Sequence, residues 1–300
     1  MLRFLYTTAP GRMLLKPLTS RGFSRLAGKF MDSHASVALI KPFVRKNKID
    51  LSEYEPARYR SFNEFFIRKV RPECRPVAPE GLIAPCDGLL SAYKIDDKTR
   101  LNIKNSVYSI LTLLGNDPRA AKFAGGTCLV FRLCVDNYHR YHFFDDCAPE
   151  PSRFIPGVLH TVRPIALENV PVFHQNCREV TFLHTKNYGL AAQIEVGAML
   201  VGKIHNHKIA GIGKTAYNRE APIDVEERDK QDCVNGENRA AQTAVFPAHR
   251  GDEKGYFLYG GSTVVLLLNR EAAHLPEFLY KSTANNQEMP VKYGQRLSDQ

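Results

Sequence analysis

Up to about residue 75 the apolar positions recur at helical spacing; beyond residue 76 they fall into short or alternating runs punctuated by Gly, Pro and Asn. Across residues 12–31, Phe23, Leu26, Ala27 and Phe30 share one helical face, and Arg21, Arg25 and Lys29, each four residues from the next, line another. This spacing predicts an amphipathic helix with a basic edge and Ser20 as an N-cap, weakened at Gly22 and Gly28 by about 1 kcal/mol each relative to Ala. Such a helix needs an outside surface, either the core of its own domain or a lipid interface, and the pattern leaves both open. A second helix is predicted where Ser61 and Glu64 form a capping box ahead of Phe65, Phe66 and Ile67, ending before Pro72 and Pro76.

The runs at 129–135, 180–183, 191–201, 256–259 and 263–268 have strand length and composition, with one short helix expected at 109–114. The polar stretch 218–239 is expected to be a long surface excursion. Helices first and strands afterwards predict an α+β chain, with N-terminal helices followed by a β-rich core, and not a βαβ fold.

At 300 residues, 44% apolar and 24% charged, the chain is long and apolar enough to bury a sizeable core. Charge changes the picture more. Residues 1–80 hold 16 basic and 7 acidic side chains, a net +9 of the total +10, and the first 31 residues hold six basic groups and no acid. A basic end implies an anionic partner, a membrane surface or a nucleic acid. No run reaches the roughly 18 apolar residues that cross a bilayer. The start lacks the compact apolar stretch of a secretory signal, but its acid-free, Arg-bearing character is compatible with a mitochondrial transit peptide. Seven scattered Cys without a CxxC pair fit a reducing compartment better than a disulfide framework or a zinc site.

Three segments carry candidate chemistry. Ala84-Pro85-Cys86-Asp87-Gly88 holds an acid between Pro and Gly at a strand entry, and alone reads as a turn. In Asp136-Asn137-Tyr138-His139-Arg140-Tyr141-His142 the two histidines would point to opposite faces of a regular strand, whereas a bend would bring them into one site. This HxxH lacks the Glu and the spacing of a zincin, so structural histidines or acid–base chemistry are the better readings. The third segment, Gly260-Gly261-Ser262-Thr263, reads as a hairpin turn, or as a strained site where the Ser262 hydroxyl attacks the unshielded carbonyl before it.

In this order the three segments resemble the phosphatidylserine decarboxylase family. Gly260-Gly261-Ser262-Thr263 resembles its self-cleavage site, in the branch with Gly before Gly-Ser-Thr, Tyr138-His139-Arg140-Tyr141-His142 its paired-His signature, and Asp87 its acidic segment. The likeness extends through Gly11 to Lys16, Asp32-Ser33 with Ser36, Phe43, Tyr59 to Arg68 with Arg75-Pro76, Ile103-Lys104 with Tyr108-Ser109, Val196 to Gly202, and Lys254 to Phe257. Because it reaches back to Gly11, the basic start is expected in the mature protein, against the transit-peptide reading. The chain departs from the family in the longer, polar stretch 203–239, in the tail after Asn269, and at Asn137 within the histidine segment.

The resemblance implies a proenzyme. His142, oriented by Asp87, would deprotonate Ser262; attack on Gly261 would split the chain between 261 and 262 and leave a pyruvoyl group at 262, with neither pyridoxal phosphate nor metal. That group would form a Schiff base with the substrate amine, and His139 would serve the decarboxylation of phosphatidylserine to phosphatidylethanolamine. It also implies a basic helical membrane-associating segment at 1–75 and a β-rich catalytic domain at 76–300 in one folded unit, with Arg21, Arg25 and Lys29 meeting anionic phospholipid. The partners implied are that membrane, the large chain for the small one and a second copy in a homodimer, with no nucleic acid. The implied location is peripheral, on the cytoplasmic side of a bacterial cell membrane in preference to the mitochondrial inner membrane. Competing readings are a pyruvoyl-dependent decarboxylase of a soluble amino acid, an uncut serine hydrolase, and a lipid-binding protein without chemistry.

Overall fold

The computed structural model describes residues 2–103, 106–199, 204–208, 247–260, 262–272 and 275–298. Gly261, the 218–239 excursion and the side chain of Arg21 lie outside the described residues.

Three helices open the chain: α1 (Leu2–Thr7), α2 (Ala9–Leu18) and α3 (Arg21–Met31). The single helix predicted across 12–31 is therefore two. Pro17 has no N–H to continue the ladder, and the Ser20 hydroxyl accepts the Phe23 N–H at 3.2 Å to start a new helix. A Cβ on Gly11 would lie 2.0 Å from the Phe4 carbonyl oxygen, so the α1–α2 crossing requires glycine there. Helices α1 and α2 bury Leu5, Tyr6 and Leu15, and the Tyr6 hydroxyl accepts the Thr161 N–H at 3.2 Å. Helix α3 does not dock in this way: Phe23, Leu26 and Phe30 are 39%, 71% and 48% exposed, leaving its apolar face uncovered.

Helix α4 (Ile40–Asn47) precedes α5 (Phe62–Phe66), where the Ser61 hydroxyl accepts the Glu64 N–H at 3.2 Å and the Glu64 carboxylate accepts the Arg60 N–H at 2.6 Å. Phe62, Phe65 and Phe66 pack with Phe43 and Tyr259 into an aromatic wall.

The strands are β1 (Gly88–Lys94), β2 (Arg100–Ile103), β3 (Ser106–Ser109), β4 (Thr127–Leu133), β5 (Arg140–His142), β6 (Cys147–Pro149), β7 (Arg153–Ile155), β8 (Arg178–Thr185), β9 (Gly189–Val196), β10 (Ile204–Asn206), β11 (Glu253–Phe257), β12 (Ser262–Leu268) and β13 (Met289–Val291). Short helices α6 (Ile110–Leu113), α7 (Pro164–Leu167) and α8 (Val172–Gln175) interrupt them, and α9 (Glu277–Ala284) precedes β13. The main antiparallel sheet runs β13-β1-β4-β12-β9-β8-β6, with β7 also on β8; β10-β11-β5 form a second sheet and β2-β3 a ribbon. The α+β expectation of helices ahead of a β-rich core holds.

Strand β12 sits centrally, paired with β4 on one edge and β9 on the other. Its Val264, Leu266 and Leu268 join a core with Tyr141, Ile204 and Phe257 of the second sheet, while Val265 and Leu267 join a core with Leu5, Tyr6 and Leu15 of the N-terminal helices. Both faces are covered, which is why the strand reads as an unbroken apolar run and not an alternating one. The two runs flanking Gly260-Gly261 lie in different sheets, so the hairpin reading is overturned: the chain passes from one sheet to the other between Phe257 and Ser262. The tail threads back onto the N-terminal half of the core. β13 pairs with β1, Gly294 and Gln295 exchange backbone hydrogen bonds with Ala84, and the Leu297 N–H meets the Leu82 carbonyl at 2.7 Å.

Candidate active site

Strand register and chain continuity bring the three candidate segments toward one end of the main sheet. Ser262 opens β12 opposite Leu133, the last residue of β4, and Leu89 of β1 pairs with Arg132 next to it, so Asp87 and Ser262 flank the end of β4. The chain leaving β4 runs directly into the histidine segment. The His142 N–H donates to the Pro85 carbonyl at 2.8 Å, and the Phe257 N–H to the His139 carbonyl at 3.0 Å. The histidine segment thus bridges the acidic turn and the strand that leads into the Gly-Gly-Ser crossing.

Ser262 is 0% exposed, and among the described residues its hydroxyl has no hydrogen-bond partner; the Thr263 hydroxyl is orphaned in the same way. Gly260, two residues before Ser262, has φ +139°, a conformation that L side chains rarely adopt. A buried hydroxyl that has no partner and meets no solvent is uncommon in a folded protein.

His139 lies immediately before β5 with its ring 4.0 Å from that of Phe66, and Phe66 in turn packs on Tyr259. His142 stacks on Tyr293 at 3.5 Å, with Tyr138 beyond at 6.0 Å. The two imidazoles therefore occupy separate aromatic settings. Burial lowers the pKa of His139 to about 3 and that of His142 to about 4, so both rings are neutral at neutral pH. Each points Nδ1 at a carbonyl oxygen, Asn137 at 2.9 Å and Pro85 at 3.2 Å. A carbonyl only accepts, so Nδ1 carries the hydrogen and Nε2 is left as the basic nitrogen. The His139 Nε2 is buried without a partner.

Asp87 differs from expectation. Its carboxylate takes a forked contact from Arg75, with Nε at 3.0 Å and Nη2 at 2.7 Å, and accepts the Tyr293 N–H at 2.8 Å, in place of a bond to the His142 ring. The planar guanidinium matches both carboxylate oxygens, a geometry that one imidazole N–H cannot equal. Asp87 thus fixes the 84–88 turn, and that turn's Pro85 carbonyl orients His142. Arg75 also reaches Glu53 at 2.9 Å; burial opposes its charge, but the two carboxylates raise its pKa. Its place in the sequence, Arg75-Pro76, gave no sign of this role.

A buried polar network also escaped the sequence reading. Lys254 of β11 donates to Glu195 of β9 at 2.7 Å and to Asn206 of β10 at 3.2 Å, and Gln193 donates to Glu195 at 3.1 Å and to the His142 carbonyl at 3.5 Å. Glu179 lies directly across from Glu195, its Oε2 orphaned, and burial raises its pKa to about 7. Glu195 is opposite Val264, so this network shares the face of the sheet on which Ser262 lies two residues further along β12. The only hint in the sequence is polar Gln193 and Glu195 within an otherwise apolar run. Among the described residues, no cluster of three or more His, Cys, Asp or Glu side chains could hold a metal ion.

A family model described as phosphatidylserine decarboxylase matches residues 62–299. The chain is 39% identical to "Phosphatidylserine decarboxylase proenzyme 2" of Clostridium acetobutylicum, over 99% of this chain and 91% of that protein. It is 35% identical to "Phosphatidylserine decarboxylase proenzyme" of Ruminiclostridium cellulolyticum, over 100% and 91%, and 33% identical to the protein of the same name in Clostridium novyi, over 99% and 91%.

Two stability predictions follow from the buried groups. Replacing Lys254 by Met strands the Glu195 charge and should destabilise the fold by about 3–5 kcal/mol in urea unfolding, and adding Glu195→Leu should recover most of that loss. On acidification, the unfolded chain binds protons at the two histidines near pH 6.5 whereas the folded chain does not until about pH 4 and 3. Stability is therefore lost as pH falls through that window, by up to about 1.4 kcal/mol per pH unit for each histidine. Glu179, protonated in the fold below about 7, acts in the opposite sense, so Glu179→Gln should make the loss steeper in urea titrations at pH 6.5 and 5.

Proposed function

The chain belongs to the phosphatidylserine decarboxylase family, and on that premise we propose that it is a proenzyme that cuts itself between Gly261 and Ser262 and then converts phosphatidylserine to phosphatidylethanolamine and CO2. One observation carries the reading: the Ser262 hydroxyl is fully buried and unpartnered at the head of a central strand, just beyond the sheet-to-sheet crossing.

The neutral His142, with Nδ1–H held by the Pro85 carbonyl, accepts the Ser262 proton at Nε2. Asp87 and Arg75 act through the turn as positioning residues. The Ser262 oxygen adds to the Gly261 carbonyl, the C–N bond breaks, and the proton goes to the departing nitrogen, leaving an ester and a free amine. Loss of the Ser262 α-proton then expels the 261 carboxylate, and water converts the resulting dehydroalanine to a pyruvoyl group and ammonia. With bulk water excluded from Ser262, attack by the hydroxyl is favoured over direct hydrolysis of the peptide bond.

The pyruvoyl ketone supplies what no side chain offers, an electron sink for the carbanion left when CO2 departs. A pyruvoyl group at position 262 would lie in a fully buried setting, and the His139 Nε2 is likewise buried with no hydrogen-bond partner among the described residues. His139, clamped by Phe66 and the Asn137 carbonyl, handles the proton that replaces CO2. The 39 residues from 262 to 300 would stay bound after the cut, since β12 is laddered to β4 and β9 and β13 to β1.

The substrate is an anionic lipid, and among the described residues no helix is long and apolar enough to cross a membrane. Residues 1–75 are proposed as the membrane-associating segment, supported by the uncovered apolar face of α3 beside exposed Arg25 and Lys29. Met31, at the end of α3, packs in the same cluster as Tyr259, so a lipid surface on α3 would lie near the approach to Ser262.

The intact mass of the purified protein should show two chains divided before residue 262, the smaller lacking an amine and gaining mass on borohydride reduction; a single full-length chain would overturn the reading. Ser262→Ala should remain uncut, whereas His139→Ala should cut and lose turnover by about 10²-fold or more. The triple variant Arg21→Glu, Arg25→Glu, Lys29→Glu should fail to sediment with phosphatidylserine vesicles; sedimentation equal to wild type would refute the membrane assignment.

A further inference from the structure

Among the described residues five cations are buried: Arg68, Arg75, Arg140, Arg178 and Lys254. Three have a carboxylate in hand, with Arg75 on Asp87, Arg140 on Glu253 at 2.6 Å and Lys254 on Glu195. Arg178 lacks one, but its nitrogens are satisfied by the carbonyls of Leu113, His174, Asn176 and Thr112. Arg68 is the exception. It is 2% exposed and has no acidic partner among the described residues, and its Nε has no acceptor at all. Its Nη2 meets the Tyr54 hydroxyl and the Asp136 carbonyl, both at 3.1 Å, and its Nη1 makes only a 3.5 Å contact with the Phe65 carbonyl. A guanidinium taken out of water with a vacant donor and no counter-charge is unfavourable, and binding an anion would relieve it.

Its position fits that purpose. The Arg68 guanidinium lies over the rings of Tyr54 at 4.2 Å and Phe65 at 4.8 Å. From Tyr54 the aromatic contacts run through Tyr138 to His142, and from Phe65 through Phe62 and Phe66 to His139. Arg68 therefore stands between the two histidine settings. Burial is what chiefly keeps His139 neutral, and the Arg68 charge adds to it. The two unpartnered atoms, Arg68 Nε and His139 Nε2, are on side chains that pack on adjacent phenylalanines of α5, Arg68 over Phe65 and His139 on Phe66.

We propose that Arg68 is the receptor for the phosphodiester of the lipid headgroup, an assignment that rests on the function proposed above. The substrate carries two anions, and the chemistry separates them. A guanidinium on the carboxylate would stabilise the ground state that must lose CO2, whereas the phosphodiester keeps its charge throughout and can be gripped without opposing the reaction. Arg suits a phosphate because its charge is permanent, and here the vacant Nε–H is the donor left to meet a phosphate oxygen.

The test compares wild type with Arg68→Gln and Arg68→Lys as mature enzyme. Arg68→Gln should split normally and show KM for phosphatidylserine raised about 10- to 100-fold with kcat little changed. Turnover of a phosphate-free O-alkyl serine should be unaffected, and Arg68→Lys should restore part of the loss. Independently of turnover, glycerophosphoethanolamine should broaden in ³¹P NMR with wild type and not with Arg68→Gln. Equal losses on both substrates, unchanged KM, or unchanged broadening would overturn the proposal, as would failure of both variants to fold and split, which would make Arg68 purely structural. A wild-type chain that neither splits nor decarboxylates would refute the functional reading instead, and the NMR comparison would still decide the role of Arg68.

Discussion

The structure depends on a hydroxyl being kept dry at the head of a strand that cannot move. β12 is hydrogen-bonded on both edges and covered on both faces, by the second sheet on one side and by the N-terminal helices on the other. Its first residue is Ser262, so this hydroxyl inherits the rigidity and dryness of the core. The same embedding would let the chain be cut at that residue without falling apart, because the small fragment would leave with the central strand only if the whole sheet unzipped. A hydroxyl on a surface loop would have neither property.

Burial then sets the electrostatics. The histidines are stripped of solvent and pressed against aromatic rings, which holds them neutral and directs their basic nitrogens away from the carbonyls that hold Nδ1. Charges that are buried nearby are compensated in pairs, Arg75 with Asp87 and Lys254 with Glu195. These pairs are expensive to desolvate and are better understood as fixing geometry than as adding stability. Asp87 and Arg75 define the turn whose carbonyl orients His142, and Lys254, Glu195 and Gln193 tie β11, β9 and the His142 backbone together around the serine. The pattern also makes Arg68 conspicuous, since its charge is the buried one left without either form of compensation among the described residues.

The helices outside the core have a different task. α1 and α2 close one face of the sheet, and residues 32–66 build the aromatic wall against which His139 and Tyr259 rest. α3 lies between these two stretches with its apolar residues uncovered, so the surface suited to a lipid interface and the wall of the site are parts of one continuous stretch of chain.

By itself the sequence determined the order of helices and strands, the Ser20 and Ser61 caps, the unbroken apolar strand after Gly260-Gly261, the basic bias of the first 80 residues, and Asp87, His139, His142 and Ser262 as the candidate residues. These are local signals: periodicity, hydroxyl caps and composition act within a few residues, and they are legible wherever neighbours do not override them. Tertiary structure alone decided that β11 and β12 enter different sheets, that Asp87 is held by Arg75 and reaches His142 through a backbone carbonyl, and that Lys254 meets Glu195 although 59 residues separate them. It also decided that the apolar face of α3 stays uncovered while α1 and α2 dock. Burial and partnership belong to the three-dimensional neighbourhood, so whether an Arg is a surface charge, half of an ion pair or a vacant anion receptor cannot be read from its place in the chain.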